Sequence, residues 1–297
     1  MVKYDPFAPG TFRFAVETIE VEDAARGRRF PVETWTPAGV KEPPIVLYSH
    51  YSGGTRRAAT FLCTHLASHG YLVAAMDHSE VVARDQLPTE RAERIEAIIA
   101  DRVPDVRLLI DHFGRDQVGL VGHSFGGWTV LATPEVEPRV SSVVAMGAGG
   151  SDNPRPGILP VKLTFHWLHA VPALFLAAEN DVPIPLEGVL EIYERAPQPK
   201  RVFVLRRADH QHFLDDVEGA HEAVRRANLP NDAAWIPAAM RPIAELTSGE
   251  HAHVFVRALT LAHFDATMRE VASARDFLEG DVLGALQARG VDAAAGQ

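Results

Sequence analysis

Cysteine is almost absent from this chain, with Cys63 the single thiol among 297 residues. One thiol excludes an internal disulfide and any metal site built from a cluster of cysteines. Cys63 lies within a helical pattern at residues 56–69, where we expect it to pack as a small hydrophobic side chain.

Long apolar runs and basic clusters are also missing. No run reaches the length of about 20 apolar residues that a membrane-spanning helix needs. The first ten residues, with one lysine, one acidic residue and two prolines, do not resemble a signal peptide. We therefore expect a cytoplasmic protein without a membrane span. The net charge of −10, with no Lys/Arg-rich run to reverse it locally, disfavours nucleic acid as a partner.

The chain does have enough apolar material for one large core. Hydrophobic residues make up 46% of the sequence, and 297 residues suit one α/β domain. No internal repeat or low-complexity linker divides the chain, so we predict a single domain over residues 1–297. Two segments, the proline-rich 151–170 and the helical 215–250, are predicted to form either a cap over a site or elements at the edge of the sheet.

Strand and helix patterns alternate along the chain. Residues 14–21 and 29–36 alternate in the manner of β-strands, which predicts an antiparallel hairpin turning near residues 25–27. The later runs are apolar on both faces, as strands inside a parallel sheet are. They lie at residues 44–50, 71–76, 117–122, 140–146, 172–176 and 201–205. This order predicts a mostly parallel, eight-stranded sheet with helices on both faces.

Helical patterns fill most of the remaining chain. One covers residues 88–113 and is expected to kink or break at Pro104, because proline interrupts the hydrogen bonding of a helix. Residues 251–277 show a second, strong pattern, and residues 233–246 show a weak one. The tail, residues 291–297, is expected to be frayed.

The most informative motif is Gly-His-Ser-Phe-Gly at residues 122–126. An apolar run precedes it and a helix-forming stretch follows, which is the setting of a nucleophile elbow. Gly122 and Gly126 fit that turn because side chains at their positions would collide with neighbouring elements. The turn lifts the hydroxyl of Ser124 to the carboxyl edge of the sheet. It also leaves the backbone N–H of Phe125, at the start of a helix, free to bind an oxyanion.

A serine hydroxyl needs a base before it can attack a substrate, and the base in turn needs an orienting acid. Asp181 follows the apolar run at residues 173–178, and His210 follows the run at residues 201–205. Both lie at the carboxyl ends of predicted strands, the edge where open α/β sheets place ligands. The chain order Ser124, Asp181, His210 therefore predicts a nucleophile, an acid and a base.

Other residues near these positions could take the same roles. His212 is an alternative base, because on an extended backbone it would point the same way as His210. Glu179 and Asp152 are alternative acids. Asp209 adjoins the base, but neighbours on a strand point to opposite faces, so we expect it to form a turn or a surface salt bridge.

The second oxyanion N–H is expected from the loop at residues 50–54, where the backbone of either Tyr51 or Ser52 could supply it. Tyr51 could instead line the acyl pocket. Large aromatic side chains elsewhere are candidates for the same pocket, although Trp128 could equally belong to the core. The predicted substrate-pocket residues are Tyr51, Trp128, Trp167 and Phe213.

Three blocks of sequence carry a resemblance to a known group of proteins. They are Tyr-Ser-His at residues 48–50, Leu-Ala-Ser-His-Gly at residues 66–70 and Gly-His-Ser-Phe-Gly-Gly at residues 122–127. In these blocks the chain resembles the platelet-activating-factor acetylhydrolase group within the α/β-hydrolase fold. It is also similar to the wider dienelactone-hydrolase-like esterases. The likeness extends over roughly residues 44–213.

The resemblance implies the α/β-hydrolase fold and a division of roles within it. Ser124 would be the nucleophile, His210 the base, and the amides of Ser52 and Phe125 the oxyanion hole. The chain departs from the acetylhydrolase group because residues 144–150, where that group carries its acid, hold no carboxylate.

The acid is therefore expected one strand later, at Asp181, as in dienelactone hydrolases. Those enzymes use cysteine as the nucleophile where this chain has Ser124. The departures leave the substrate open.

These features predict a serine hydrolase that cleaves small-molecule carboxylic esters, of short-chain or small acyl groups, through an acyl-enzyme and without a cofactor. An acyltransferase, thioesterase or amidase could use the same three residues. A more distant alternative is a non-catalytic binding protein on the same fold, which would be expected to have lost one of the three.

Fourteen histidines raise the question of a metal site. The close pairs are His166/His169, His210/His212 and His251/His253. They lack the clustering with acidic or thiol partners that structural zinc usually has. We therefore predict no metal.

Overall fold

A computed structural model describes residues 4–230 and 232–296. Its nine strands form one sheet in the order β1-β2-β4-β3-β5-β6-β7-β8-β9. Strands β3 to β8 run parallel to one another, whereas β1, β2 and β9 pair antiparallel with their neighbours. The strands are β1 (Phe14–Asp23), β2 (Arg28–Pro37), β3 (Ile45–Ser49), β4 (Leu72–Met76), β5 (Val118–His123), β6 (Val140–Met146), β7 (Ala173–Ala178), β8 (Lys200–Leu205) and β9 (Ala293–Ala295).

The ninth strand corrects the expected count of eight and the expectation of a frayed tail. Ala293–Ala295 pairs with β8 at the edge of the sheet, and the flanking Gly296 N–H donates to the carbonyl of Val202 at 3.1 Å. The edge of β8 offers unpaired backbone groups, so even three alanines can pair there. The last residue, Gln297, and the first three residues lie outside the described part of the chain.

Ten α-helices are described. They are α1 (Thr60–Ser68), α2 (Ser79–Val82), α3 (Arg91–Phe113), α4 (Phe125–Ala132), α5 (Leu186–Arg195), α6 (Val217–Arg225), α7 (Trp235–Ala239), α8 (Gly249–Thr267), α9 (Ala272–Glu279) and α10 (Val282–Gln287). Short 3₁₀ turns lie at Arg84–Gln86, Thr133–Glu135, His210–Phe213 and Ile243–Glu245. None of the described helices combines the length and the apolarity needed to span a membrane.

Two helix predictions differ from the structure. Helix α3 continues through Pro104, so of the expected kink or break the break does not occur: a proline costs a helix one hydrogen bond, and this long helix is packed against the sheet. The strong pattern at residues 251–277 is divided between α8 and α9. Glu270, between them, has a positive φ of 53°, a left-handed conformation that ends a right-handed helix.

Helices cover both faces of the sheet, as predicted. In β3, Ile45 and Leu47 face one hydrophobic cluster, while Val46 and Tyr48 face the other, which explains why the whole strand is apolar. The first cluster receives side chains from α3, α4 and α5, and the second receives them from α1, α8 and α10. Cys63 is 1% exposed in the second cluster, which confirms its expected role as a small core residue.

Candidate active site

Ser124 occupies a strained turn between β5 and α4. Its backbone has φ 58° and ψ −115°, a conformation that non-glycine residues adopt only when the surroundings impose it. A Cβ at Gly122 would lie 2.2 Å from the carbonyl oxygen of Gly126, and one at Gly126 would lie 2.0 Å from that of Ser49. Only glycine fits these two positions. The turn therefore has the geometry that the motif predicts for an elbow.

Asp181 and His210 form a buried pair at the carboxyl edge of the sheet. The Nδ1 atom of His210 lies 2.6 Å from an Asp181 carboxylate oxygen, and the N–H of Ile184 donates to the other oxygen at 2.8 Å. Because Nδ1 donates to the carboxylate, Nε2 is left to accept a proton. Burial alone would lower the pKa of His210, but the neighbouring Asp181 carboxylate outweighs it and the net pKa is raised.

The loop after β6 brings this pair next to the elbow. A Cβ at Gly147 would lie 3.3 Å from the Asp181 carboxylate and 3.5 Å from His210 Nδ1, and the ring of His210 lies 4.6 Å from that of His123, the residue before Ser124. Within the described chain the Ser124 hydroxyl makes no hydrogen bond, so its link to His210 remains a prediction.

The candidate oxyanion donors lie on two separate elements. Phe125 is the first residue of α4, where backbone N–H groups have no partner within the helix. Tyr51 and Ser52 follow β3 in a turn closed by the N–H of Gly54, which donates to the Tyr51 carbonyl at 3.0 Å. Tyr51 is half-buried, with its ring centre 5.8 Å from that of His123.

A single buried arginine contacts both of these elements. Arg102, on α3, donates to the carbonyl oxygens of His50 and Tyr51 at 2.7 and 3.2 Å, and its guanidinium lies 4.2 Å from the centre of the Phe125 ring. An ion pair with Glu80 neutralises its charge, and the side chain is fully buried. Sequence reasoning missed this residue. The available signal was a charged residue four positions before Val106, on the apolar face of the helix.

The rival candidates are held elsewhere. His212 Nε2 donates to the carbonyl of Thr247 at 3.0 Å. Glu179 pairs with the Arg206 side chain and accepts from a backbone N–H. Asp152 is exposed on the protein surface, 3.8 Å from Arg195. Across residues 4–230 and 232–296, none of the three rivals forms a hydrogen bond with His210.

Asp209 differs from its expected role in one respect. It does form a turn, because its side chain accepts the N–H of Gln211 at 3.0 Å and caps the 3₁₀ turn that begins at His210. Of the two expected alternatives, the turn is therefore confirmed and the surface salt bridge is not formed, since Asp209 is only 3% exposed. Strand β8 ends at Leu205, so the rule that neighbouring residues point to opposite faces does not hold at Asp209.

Most of the aromatic residues predicted for the substrate pocket belong to the core. Phe213 is fully buried, so it cannot line a pocket, and Trp128 is 6% exposed with its indole N–H donating to the carbonyl of Lys162. Trp167 is half-buried, and its indole N–H donates to the carbonyl of Leu131 at the end of α4. Of the four candidates, Tyr51 combines a half-buried side chain with a position beside the elbow, its ring centre 5.8 Å from that of His123.

A cavity of about 360 Å³ lies on the acid side of the elbow. Two of its wall residues are tied to the site by backbone N–H groups: Gly149 donates to the Ser124 carbonyl at 3.3 Å, and Ile184 donates to the Asp181 carboxylate. Its walls are largely apolar, with acidic and basic groups at some positions. The lining residues are Gly149, Gly150, Ser151, Asn153, Pro154, Arg155, Ile158, Leu159, Pro183, Ile184, Pro185, Glu187, Gly188 and Glu191.

The two segments expected to form a cap or edge elements contact each other. The indole N–H of Trp235, at the start of α7, donates to the carbonyl of Pro156 at 3.1 Å, and Arg155 lies over the Trp235 ring. The proline-rich segment thereby supplies one wall of the cavity. A cap over Ser124 remains a prediction. In the described residues, no group of three or more His, Cys, Asp or Glu side chains is arranged to hold a metal ion.

Comparison with known proteins supports the resemblance that the sequence suggested. The family model "Platelet-activating factor acetylhydrolase, isoform II" matches residues 29–97, which include the loop after β3 and end before the elbow. The platelet-activating factor acetylhydrolase of Canis lupus familiaris is 22% identical over 237 residues, which cover 61% of this chain and 51% of that protein. A cutinase of Thermobifida alba is 25% identical over 170 residues, 55% of this chain and 51% of that protein. The chain spans about half the length of these curated relatives.

A solved structure matches over nearly the whole chain. The ferulic acid esterase from Streptomyces cinnamoneus superposes with a TM-score of 0.65 at 20% identity, covering 89% of this chain and 93% of that chain. At 20% identity the structural match shows the fold alone. The predicted α/β-hydrolase fold is confirmed, and the chain resembles carboxylic ester hydrolases in both sequence and structure.

Proposed function

We propose that this chain is a serine hydrolase of carboxylic esters, with Ser124 as nucleophile, His210 as base and Asp181 as the acid that orients it. The observation that carries the proposal is the 2.6 Å contact between Asp181 and His210, buried beside a serine in a strained elbow. Strain of this kind persists where a fold holds a reactive group in place. The names of the similar proteins, an acetylhydrolase, a cutinase and a ferulic acid esterase, agree with ester chemistry.

The proposed reaction proceeds in two acyl-transfer steps. His210 Nε2 takes the proton of the Ser124 hydroxyl as its oxygen attacks the ester carbonyl carbon. The N–H groups of Phe125 and Ser52 bind the oxyanion that forms. The intermediate then collapses, the C–O bond to the alcohol breaks, and His210 returns the proton to the leaving alkoxide. Water repeats the sequence on the acyl-enzyme and releases the acid, without a cofactor.

The cavity beside the elbow supports small esters as substrates. Its volume of about 360 Å³ falls at the lower end of the range for small-molecule sites. Ile158, Leu159 and Ile184 give it apolar walls suited to a short acyl or small aromatic group. We place that group of the substrate in the cavity, with the ester carbonyl between Ser124 and the two oxyanion donors.

The test is hydrolysis of a chromogenic ester series from acetate to laurate, with matched thioesters and amides. Wild type should prefer the shorter oxygen esters, and a fluorophosphonate should label Ser124. Ser124→Ala should lose both activity and labelling. Ser141→Ala should keep both, because the Ser141 hydroxyl only donates to the carbonyl of Val118. Hydrolysis by Ser124→Ala at the wild-type rate would refute the proposal. A preference of the wild type for thioesters or amides would show that the substrate class is not the oxygen esters.

A further inference from the structure

A second buried acid–histidine group lies directly behind the proposed base. Asp209 is 3% exposed, and His212 and His221 are fully buried. One carboxylate oxygen of Asp209 lies 2.8 Å from His212 Nδ1, and the other contacts His221 Nδ1. We call these three residues the Asp209 cluster. The proposed mechanism uses none of them.

Hydrogen-bond chemistry fixes much of the protonation within the Asp209 cluster. The carbonyl of Thr247 can only accept, so the Nε2 atom of His212 carries a proton. His221 donates through Nδ1, because the carboxylate oxygen it contacts can only accept. Its other nitrogen, Nε2, has no hydrogen-bond partner within the described chain. Burial would raise the pKa of Asp209, but the hydrogen bonds at its carboxylate, from the side chain of His212 and from the backbone N–H of Gln211, contribute to outweighing it, and the net pKa is lowered. Asp209 is therefore a carboxylate at neutral pH.

The Asp209 cluster fixes the backbone of the base from three directions. Asp209 caps the 3₁₀ turn whose first residue is His210. His221 lies on α6, and Thr247 precedes Ser248, the N-cap of α8, so both elements are tied to the turn through the Asp209 cluster. A capping side chain satisfies backbone N–H groups that would otherwise have no partner and so stabilises the turn. The position of His210 thus depends on contacts that lie outside the substrate site.

Three titratable side chains face His210. Asp181 does so from the loop after β7, His123 from the end of β5, and Asp209 from the base loop itself. His123 is uncharged, because burial and the charge of His210 hold its pKa well below the ordinary value. The two carboxylates are thus the charges that act on the imidazole, and both favour its protonated form.

We infer that Asp209 is a positioning residue for the base, which holds the turn that carries His210 and supplies a second negative charge that favours the imidazolium formed during catalysis. This inference rests on the proposed function, because the role of His210 as base is itself proposed. It differs from the role of Asp181 because Asp209 makes no direct hydrogen bond to the ring of His210 in the described structure.

The direct test is an NMR titration of His210 in histidine-labelled protein, with the resonance assigned by its loss in His210→Asn. Asp209→Asn keeps an oxygen acceptor for the Gln211 N–H and removes the charge. We expect the titration midpoint of His210 to fall by about 0.5 to 1 pH unit. The acidic limb of kcat/KM should move by the same amount, and kcat should fall several-fold.

Asp215→Asn is the matched control. Asp215 lies in the same connection, after the turn that carries His210, and its carboxylate accepts the backbone N–H groups of Thr60 and Phe61 at 2.9 and 2.8 Å instead of contacting that turn. Its variant loses the same charge and should leave the midpoint of His210 unchanged. If Asp209→Asn does not fold, Asp209→Ser keeps a capping hydroxyl without the charge and should show the same downward shift. An unchanged midpoint in the folded Asp209 variant would overturn the inference, as would an equal shift in Asp215→Asn.

The titration separates this inference from the proposed function. It can be repeated in a Ser124→Ala background, where the proton on His210 is observed without turnover. Failure of fluorophosphonate to label Ser124 would remove the proposed function and leave the midpoint shift measurable. Normal labelling with no shift in Asp209→Asn would remove the inference alone.

Discussion

The two loops that flank Ser124 are anchored by buried charges of opposite sign. The loop after β3, which carries the proposed oxyanion donor Ser52, is held by hydrogen bonds from the Arg102 guanidinium. The loop after β8, which carries His210, is held by Asp209 and contacts Asp181. In acyl transfer a negative charge develops beside the first loop and a positive charge develops on the second. Asp209 therefore has the sign that favours the charge formed beside it, whereas Arg102, whose charge Glu80 neutralises, acts on its loop through hydrogen bonds to two carbonyl groups.

This difference indicates that the anchors contribute to the electrostatics of the site as well as to its shape. Arg102 and Asp209 are both almost completely buried, so solvent screens their charges little. Both donate to or accept from backbone groups, which orients the loop dipoles before the substrate arrives. Preorganised charges of this kind need no rearrangement during the reaction.

The largest effect is expected from the acid on the base side. Asp181→Asn should lower kcat on a short ester by on the order of 10³- to 10⁴-fold, because the amide no longer stabilises the imidazolium or fixes its tautomer. Steady-state kinetics with a chromogenic acetate ester measures the change. Glu179→Gln is the matched control, since Glu179 ends the same strand segment and pairs with Arg206. If Glu179→Gln were the slower variant, Glu179 would be the acid.

Removing the cation on the oxyanion side should have the next largest effect. Arg102→Met should lower kcat by about 10- to 100-fold with little change in KM, because the carbonyls of His50 and Tyr51 lose the donor that orients their loop. It should also destabilise the fold by about 3 to 5 kcal/mol, since Glu80 would be left as an unpaired buried charge.

A double variant separates these two consequences. Arg102→Met combined with Glu80→Gln removes both charges, so the free energy of unfolding should recover in large part. The turnover should stay low, because the loop donor is still missing. Chemical denaturation and kinetics on the same preparations measure both quantities. Recovery of kcat together with stability would mean that Arg102 is structural only.

Titration of the base should give a smaller, graded effect. Burial lowers the pKa of His210, but Asp181 and Asp209 outweigh it, so the net pKa is raised above the ordinary value of 6.5. Below this pKa the imidazole is already protonated and cannot take the proton of Ser124. The acidic limb of kcat/KM should therefore have its midpoint above 6.5 and fall about tenfold for each pH unit below it. A midpoint clearly below 6.5 would contradict the two-carboxylate arrangement.

The sequence predicted the local part of this arrangement better than the distant part. Gly122, Ser124 and Gly126 could be interpreted from five adjacent residues, because the steric demands of the turn are local. Arg102 escaped notice because it contacts a loop 52 residues earlier in the chain. No pattern of spacing reports such a contact.

Around His210 the alternation of faces that a strand would give does not apply. His210 and His212 would share a face on an extended strand, but the chain forms a 3₁₀ turn there, which separates alternate residues by about 240°. His212 therefore points to Thr247 instead of the substrate edge. Strand β9 could not be predicted, because three alanines are compatible with a helix, a strand or a loop. They form a strand because they pair with the open edge of β8.

The smallest effect is expected at a position that touches neither anchored loop. Gly188, on α5, lines the cavity, and a Cβ there would meet the side chains of Ser151 at 3.4 Å and Pro185 at 3.9 Å, which are ordinary contacts. Gly188→Ala should therefore fit and stabilise the fold by about 0.5 to 1 kcal/mol, because glycine is a poor helix former. Its kcat on acetate esters should match wild type.

A larger side chain at the same position would test the use of the cavity. Gly188→Leu should lower kcat/KM several-fold for esters with larger acyl groups while sparing acetate, because its side chain would occupy volume that those groups need. The ratio of the two activities measures the change, and Gly188→Ala serves as the control for altered helix stability. Because Arg102 and Asp209 are intact in this variant, the acidic limb of its kcat/KM should keep the wild-type midpoint. No loss on the longer esters, or an equal loss on acetate, would mean that the acyl group of the substrate lies outside this cavity.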